Sequence, residues 1–396
     1  MKKILLASFD MEVGGVERSL IHLLNHFNLE DGALEVFLYR HAGDFLEMLP
    51  DHIALLPEVK EYTSFRKSIK TVMQEKQFML AISRLKAKIV AEIIGKKNHY
   101  SEPGYVQMQR MWQYALNHLP SVEKTYDVAI SYLWPHYFVA EKVTAKKKIA
   151  WIHTDFSTVE TDEVADETMW NKFDHIMAVS EACKEAFLTK YPRLAQKVMV
   201  LENLQSPTFI RQQALMEEPE LMMADQRFKL VTVARLSHAK GIDMAVDALA
   251  QLKDKGHTDI VWYIVGYGGD ESMLRDKISQ HDLHEHVILL GKKTNPYPYM
   301  QAADVYVQPS RYEGKAVTVV EAQILGKPVL ITAYPTSASQ VSHGKDGWIC
   351  ELSAEGIAEG ILTLKADSIL REALSAACLQ SDYSNVQELE KLYKVL

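Results

Sequence analysis

Hydrophobic and polar positions follow two periods along the chain, and these alternate from the start. Nearly continuous apolar runs, as in KKILLASF and ALEVFLY, are separated by segments with apolar residues at helical spacing, such as GGVERSLIHLLNHF. Three more apolar runs follow in YDVAISYL, KKIAWIH and HIMAVS. Short apolar runs between helices are typical of parallel strands that are buried on both faces of a sheet. The pattern therefore predicts a doubly wound α/β domain.

The same alternation starts again at Lys229, after a polar and acidic stretch at 201–228. Five apolar runs, from KLVTVARL to PVLIT, alternate there with four helical patterns. We therefore predict two Rossmann-like domains, an N-terminal one at 1–205 and a C-terminal one at 206–381. A last helical pattern at about 382–396 has no strand after it, and we expect it to pack back onto the first domain.

A helical insertion at about 60–118 interrupts the first domain. Its segment 65–97 has apolar residues at roughly helical spacing, and residues 60–97 contain ten Lys/Arg but three Glu. A basic amphipathic helix can lie on an anionic membrane surface. The alternative is an inserted helix pair that packs on the core with its charges solvated. Both interpretations stay open at this level.

Composition narrows the class of protein. The chain has 396 residues, 47% apolar and 24% charged, which is typical of a soluble globular protein of two domains. Its net charge of −8 argues against a general nucleic-acid binder. The three cysteines are far apart and suggest no disulfide framework, which fits a reducing cytoplasm. No apolar stretch approaches the roughly 20 residues of a membrane span, so we expect a cytoplasmic protein, with peripheral contact at the inner face of the membrane through 65–97 as a hypothesis.

Two glutamates, Glu313 and Glu321, stand eight positions apart in SRYEGKAVTVVEAQILGKPVL. If AVTVVEAQIL is a helix, the backbone amides at its start form an anion site, and the preceding glycine lets a ligand approach closely. The residues concerned are Gly314, Lys315, Ala316, Val317 and Thr318. Glu313 could then accept hydrogen bonds from a sugar and Glu321 from a ribose, which suggests a nucleotide sugar. An ordinary acidic loop with a helix-surface glutamate is the alternative.

Further candidates follow the predicted strands, where ligands bind in open α/β sheets. In the second domain these are Arg235 and Lys240 of VARLSHAKG, two cations that can neutralise a diphosphate, and Gly266 in the turn VGYGGDES. In the first domain, Gly15 lies in the turn before the first helix and His153 ends a strand. Each could instead be a solvated charge, a plain turn or a structural histidine. The chain contains no Asp-x-Asp and no His/Cys cluster with metal spacing, so we expect no metal or other cofactor.

Together these motifs resemble the retaining glycosyltransferases of family 4, also called glycosyl transferases group 1, which have the GT-B fold. The resemblance rests on VYVQPSRYEG, EAQILGKPVLIT, VARLSHAKGIDMAVDAL, GGVERSL and AVSEACKEAF. It implies two Rossmann-like domains that face each other across a cleft, with the acceptor bound by the first and the donor by the second. The implied reaction is transfer of a hexosyl unit from a nucleotide diphosphate sugar, most simply a UDP-sugar, with retention at the anomeric carbon.

The resemblance also implies roles for single residues. Catalysis is assigned to Glu313, His153, Arg235 and Lys240. Donor binding is assigned to Gly15, Arg235, Lys240, Gly266, Glu313, Gly314, Lys315, Ala316, Val317 and Glu321. The chain departs from the common family pattern at Ala234, where glycine is usual, and at Lys315-Ala316, where Phe-Gly is usual. The second change adds a charge beside the donor.

The expected acceptor is a glycan, a lipid-linked glycan or an anionic polymer, in the assembly of cell-surface polysaccharide or teichoic acid. Two other functions stay open. A nucleotide-sugar 2-epimerase of the same fold would need no acceptor. A glycosyltransferase-like subunit without activity would only stabilise a partner protein, but it would not need the full set of predicted site residues.

Overall fold

A computed structural model describes residues 2–12, 14–27, 32–100, 103–154, 156–157, 159–313 and 316–396. The chain forms two compact units. Unit 1 comprises Met1–Leu204 and Asn385–Leu396, and unit 2 comprises Gln205–Ser384.

Unit 1 is built on a sheet of seven parallel strands. They are β1 (Lys2–Ser8), β2 (Gly32–Leu38), β3 (Ala54–Leu55), β4 (Thr125–Ser131), β5 (Thr144–Ile152), β6 (His175–Ala178) and β7 (Val198–Val200). Their order in the sheet is β3-β2-β1-β4-β5-β6-β7, which is a doubly wound arrangement with β1 and β4 at its centre. The helices are α1 (Gly15–His26), α2 (Lys60–Thr63), α3 (Ile69–Gln74), α4 (Phe78–Asn98), α5 (Gly104–Ala115), α6 (Tyr137–Lys142), α7 (Glu163–Trp170) and α8 (Glu181–Lys190).

Unit 2 is built on a sheet of six parallel strands. They are β8 (Phe228–Val233), β9 (Ile260–Val265), β10 (Val287–Gly291), β11 (Val305–Gln308), β12 (Val329–Thr332) and β13 (Trp348–Cys350). Their order is β10-β9-β8-β11-β12-β13, so β8 and β11 are neighbours at the switch point of the sheet. The helices are α9 (Pro207–Ala214), α10 (Glu220–Ala224), α11 (Ile242–Asp254), α12 (Glu271–Gln280), α13 (Tyr297–Ala302), α14 (Val317–Ile324), α15 (Ala354–Ala366) and α16 (Ser368–Gln380).

The acidic stretch at 201–228 is more than a boundary segment. Part of it folds into α9 and α10, whose apolar residues Ile210 and Met222 are fully buried in the core of unit 2 together with Tyr263. In the sequence, the apolar residues that α9 and α10 bury are separated by polar residues. The acidic composition alone therefore did not show that the stretch packs against the sheet.

The last helix, α17 (Glu388–Val395), belongs to unit 1. Its Leu389 and Leu392 are buried, and the ring of Tyr393 lies 5.8 Å from that of Phe27. Lys147 Nζ donates a 2.6 Å hydrogen bond to the carbonyl of Val395. The chain thus returns to its first domain after completing the second.

Two histidines in the core of unit 1 should make it sensitive to acid. Burial lowers the pKa of both His22 and His136 to about 3. In the unfolded chain each takes up its proton near pH ~6.5. Because the unfolded state binds more protons below that pH, stability should fall as the pH falls from about 6.5, by up to about 1.4 kcal/mol per pH unit for each histidine. Urea unfolding between about pH 6.5 and 5, above the carboxylate range, measures this slope.

The matched variants are His22→Gln and, at an exposed position, His52→Gln. We expect His22→Gln to reduce the slope of the unfolding free energy against pH by the contribution of about one proton. His52→Gln should leave this slope unchanged. An equal slope in the wild type and in His22→Gln would contradict the prediction.

Candidate functional site

The loops that follow β8 and β11 are locked together in unit 2. Gly241 has a φ of +64°, and a Cβ at that position would lie 1.9 Å from the carbonyl oxygen of Pro309. The amide of Arg311 donates to the carbonyl of Ala239 at 2.9 Å. The Arg311 guanidinium donates to both carboxylate oxygens of Asp243, at 2.7 and 2.6 Å. A bidentate pair and a glycine contact therefore fix the spacing of the two loops.

Each loop contributes one charge to an ion pair at this junction. Lys240 Nζ lies 2.6 Å from Glu313 Oε1 and 2.7 Å from Oε2. The Glu313 side chain is 8% exposed and that of Lys240 is 27% exposed. The sequence analysis assigned these residues to a sugar and to a diphosphate, but it did not predict that they contact each other.

A buried polar chain orients the Glu313 carboxylate. Ser310 Oγ donates to Glu313 Oε1 at 2.6 Å, and Gln308 Nε2 donates to the same oxygen at 3.2 Å and to Ser310 Oγ at 2.9 Å. The side-chain oxygen of Gln308 accepts from the hydroxyls of Tyr306, at 2.6 Å, and Thr318, at 3.2 Å. Gln308 and Ser310 are almost completely buried. The sequence analysis missed both, although polar residues that end the apolar run VYVQPS were a usable signal.

Arg235 lies beside the glycine turn that follows β9. Gly266 has a φ of +151°, and a Cβ there would lie 1.9 Å from the carbonyl oxygen of Ala234. The amide of Leu236 donates to the carbonyl of Tyr267 at 3.0 Å. The Arg235 side chain between these contacts is exposed, and it makes no ion pair with any residue that the structure describes. Of the two predicted cations, Arg235 is thus the one whose charge is not compensated within the described chain.

At the start of α14, one of the backbone amides that the sequence analysis assigned to an anion site is already hydrogen-bonded within the protein. The helix begins at Val317, and the amide of Ala316 donates to Gln340 Oε1 at 3.2 Å. Gln340 Nε2 in turn donates to the carbonyl of Ala316 at 2.5 Å. The Ala316 amide is therefore occupied by a protein side chain, while donor binding at Val317 stays a prediction. Gly314 and Lys315, which were assigned to donor binding, lie outside the described residues.

Glu321 lies inside α14 and is fully buried. Its Oε1 accepts a 3.0 Å hydrogen bond from the hydroxyl of Tyr297, at the start of α13. Hydrogen bonding to a ribose would need a carboxylate that a ligand can reach, whereas this one is covered in the structure. The ribose role of Glu321 stays a prediction.

Unit 1 contains the other two predicted site residues, Gly15 and His153. A Cβ added at Gly15, the first residue of α1, would meet nothing within 4 Å, so packing within the described chain does not require glycine there. His153 follows β5, and its ring lies 4.6 Å from that of Tyr132. Its Nε2 is enclosed without a hydrogen-bond partner among the described residues, and burial lowers the pKa of the ring to about 3. The imidazole is therefore neutral near pH ~7.

The candidate residues of unit 2 lie in a part of the chain that matches a known protein family. The family model described as "Glycosyl transferases group 1" matches residues 217–379, which include the Lys240–Glu313 pair and Arg235. Residues 217–379 form a glycosyl transferases group 1 domain. This confirms the predicted resemblance to glycosyl transferases group 1, while the retaining mechanism stays a prediction.

Curated relatives of the group 1 domain are named glycosyltransferases. The amylovoran biosynthesis glycosyltransferase AmsK of Erwinia amylovora is 28% identical over 183 residues, which are 43% of this chain and 45% of the relative. An N-acetylgalactosamine-N,N'-diacetylbacillosaminyl-diphospho-undecaprenol 4-alpha-N-acetylgalactosaminyltransferase of Campylobacter jejuni is 28% identical over 208 residues, 52% of this chain and 54% of the relative. The chain thus spans about half the length of the relatives that it matches.

Solved structures extend the likeness beyond the group 1 domain. The crystal structure of Anabaena Alr3699/HepE in complex with UDP-glucose matches with a TM-score of 0.66 and 19% identity, over 100% of both chains. At this identity the likeness shows the fold. The two parallel-sheet α/β units are those of a GT-B fold, as the sequence predicted.

Proposed function

We propose that the protein is a retaining glycosyltransferase that moves a hexosyl unit from a nucleotide diphosphate sugar, most simply a UDP-sugar, to a glycan acceptor. The observation that carries the proposal is the Lys240–Glu313 pair, held by Ser310 and Gln308 inside a group 1 domain and accompanied by the uncompensated Arg235. One relative named above acts in amylovoran biosynthesis and another on a diphospho-undecaprenol-linked glycan, and HepE binds UDP-glucose. We therefore propose a lipid-linked glycan or anionic polymer of the cell surface as the acceptor, with the reaction in the cytoplasm.

The charges of the site fit a diphosphate without a metal ion. A lysine ammonium has three N–H donors, and two of them can serve the two oxygens of Glu313. The third can reach a phosphate oxygen, and the guanidinium of Arg235 can take another. These two cations would then stabilise the diphosphate as it leaves the sugar. In this proposal Glu313 holds both the sugar and the lysine.

A thermal-shift screen of the purified protein tests the proposal. The protein is heated with UDP-, GDP-, ADP- and dTDP-sugars, with and without Mg²⁺, beside the variant Arg235→Ala/Lys240→Ala. A ligand at about 100 times its Kd stabilises the native state by about 2.7 kcal/mol, so binding raises the melting temperature. We expect a shift with one nucleotide class, UDP, that is independent of Mg²⁺ and absent in the variant.

The other outcomes point to the alternatives. A 2-epimerase is indicated if the nucleotide sugar that gives a shift is also converted to its C2 epimer in the absence of any acceptor. No shift with any nucleotide sugar would favour the subunit without activity. A shift that requires Mg²⁺ would contradict the metal-independent site.

Ser310→Ala should weaken the reaction without removing any charge. Ser310 Oγ donates to Glu313 Oε1 at 2.6 Å, and hydrogen bonds to charged groups contribute about 1.5–3 kcal/mol. We expect the kcat/KM for the donor to fall about tenfold through misplacement of the carboxylate. Steady-state kinetics with the donor found in the screen measures this.

The control is Ser375→Ala, which removes a donated 2.6 Å hydrogen bond in unit 2, to the carbonyl of Gly326, whereas Ser310 Oγ also accepts one from Gln308. It should leave kcat/KM unchanged. Equal effects of the two substitutions would show that Ser310 acts only through general stability.

A further inference from the structure

The helix α4 packs against its neighbours with small residues. The side chains that it buries are those of Leu80, Ala81, Ser83, Ala87 and Ala91, together with Gly95. A Cβ at Gly95 would lie 2.9 Å from Cβ of Pro103, just before α5, and Ser83 Oγ donates to the carbonyl of Tyr114 in α5 at 3.1 Å. Apart from Leu80, the side chains on this buried face are small, and at Gly95 even a Cβ would press against Pro103.

The opposite face of α4 exposes the large apolar side chains. These residues recur every three or four positions, as one face of a helix requires. Phe78, Ile82, Leu85, Ile89 and Ile93 are between 49% and 60% exposed, and we call them the α4 outer face. With a rise of about 1.5 Å per residue, this apolar stripe is roughly 22 Å long. An amphipathic helix on a protein core ordinarily buries its large apolar side chains, whereas α4 exposes most of them.

Cations flank the α4 outer face. From residue 70 to residue 97 the exposed charged residues are Lys70, Lys76, Lys86, Lys88, Lys96 and Lys97, and a single carboxylate, Glu92. Of these, Lys86 Nζ lies 4.3 Å from the centroid of the Tyr114 ring. The other acid of this stretch, Glu75, is paired with Lys67 at 2.8 Å. The exposed charges of α3, α4 and the segment between them are therefore predominantly positive.

We propose that the α4 outer face docks on an anionic lipid bilayer, with the helix lying in the plane of the surface. The boundary between headgroups and acyl chains can take up the apolar side chains, while lipid phosphates pair with the lysines. A second copy of the chain would cover the apolar stripe too, but it would bring lysines against lysines. Among the described residues, no helix has the length and hydropathy that a membrane span requires.

Vesicle co-sedimentation of the full chain tests the proposal. The probes are vesicles of phosphatidylcholine alone and vesicles with about 30% phosphatidylglycerol, each at about 50 mM and about 500 mM NaCl. We expect binding to the anionic vesicles at low salt, and much weaker binding to the neutral vesicles or at high salt. No binding to anionic vesicles at low salt would overturn the proposal.

Two triple variants separate the apolar and the cationic contributions. Ile82→Ser/Ile89→Ser/Ile93→Ser should lower the affinity for anionic vesicles at least about tenfold. Lys88→Gln/Lys96→Gln/Lys97→Gln should lower it on the order of 100-fold and flatten its salt dependence, since each lysine near an anionic surface contributes about 1 kcal/mol. Unchanged affinity in either variant would overturn the assignment of this face.

A matched control substitutes three exposed apolar residues of unit 2, as Leu215→Ser/Leu221→Ser/Ile369→Ser. It should bind anionic vesicles like the wild type, and all variants should keep the wild-type circular dichroism spectrum. Sedimentation equilibrium without vesicles tests the alternative that a second copy of the chain covers the α4 outer face. A dimer that the isoleucine variant converts to a monomer would show that the face is an interface between two copies, which contradicts the proposal.

Discussion

Lys240→Ala should lower the kcat/KM for the nucleotide-sugar donor by about 10²–10³, the usual effect of removing one group that stabilises developing charge. The lysine is placed by the Gly241 contact and is paired with Glu313 at 2.6 Å. Its loss removes a cation from the proposed leaving group and leaves the mostly buried carboxylate of Glu313 without its counter-charge. Steady-state kinetics with the donor, together with a melting curve, separates the two effects.

The matched control is Lys277→Ala. Lys277 is 25% exposed and forms a 2.8 Å ion pair with Asp247, so it resembles Lys240 in exposure, partner and unit. Its replacement should change kcat/KM less than about twofold. The double variant Lys240→Ala/Glu313→Gln should lose less than the product of the two single effects, since the residues act together. Equal activity of Lys240→Ala and Lys277→Ala would contradict the proposed role of Lys240.

Asp166→Ala should destabilise unit 1 by about 3–5 kcal/mol. The Asp166 carboxylate is fully buried and accepts three hydrogen bonds, from Trp134 Nε1 at 3.1 Å, Trp170 Nε1 at 3.2 Å and the Tyr191 hydroxyl at 2.9 Å. Burial raises the pKa of this carboxyl, while the three hydrogen bonds act in the opposite direction. Removing the acceptor leaves the two indole N–H groups with an unmade bond, at about 1–3 kcal/mol each where they stay dry, and leaves the Tyr191 hydroxyl with Thr161 Oγ1 at 3.4 Å.

Urea unfolding followed by tryptophan fluorescence measures the effect, since four of the six tryptophans lie in unit 1. The exposed Asp51→Ala is the control and should shift stability by less than about 0.5 kcal/mol. Asp166→Asn should fall between the two, because the amide oxygen can still accept while the amide nitrogen faces another donor. A loss below about 1 kcal/mol for Asp166→Ala would show that water replaces the carboxylate.

The sequence predicted most of the fold because most of its strands are apolar runs of four or more residues. The runs that end at Ser8, Val233 and Gln308 are strands in the structure, at the centre of their sheets. The strands that were missed, β3, β7 and β13, have two or three residues each and lie at sheet edges. So short a segment carries too little periodicity to be distinguished from a loop.

The site could be predicted in its residue types but not in its contacts. Lys240 and Glu313 are 73 positions apart, and their pairing depends on the packing of two loops. The Ala316 amide is occupied by Gln340, a partner that helix periodicity cannot reveal. Burial of Glu321 beneath Tyr297 depends in the same way on the packing of α13 against α14. The sequence therefore indicates which charged and polar side chains are present, whereas their hydrogen-bond and ion-pair partners depend on the tertiary structure.

The Lys240–Glu313 pair also bears on how fast an anionic donor can find the site. The two charges compensate each other at close range, so at a distance of a Debye length, about 8 Å at physiological ionic strength, they act as a weak dipole. Of the two cations described at this site, Arg235 is then the one that attracts a diphosphate at long range, against a chain of net charge −8. Capture of the donor should accordingly gain little from electrostatic attraction, with selectivity expressed in the lifetime of the complex.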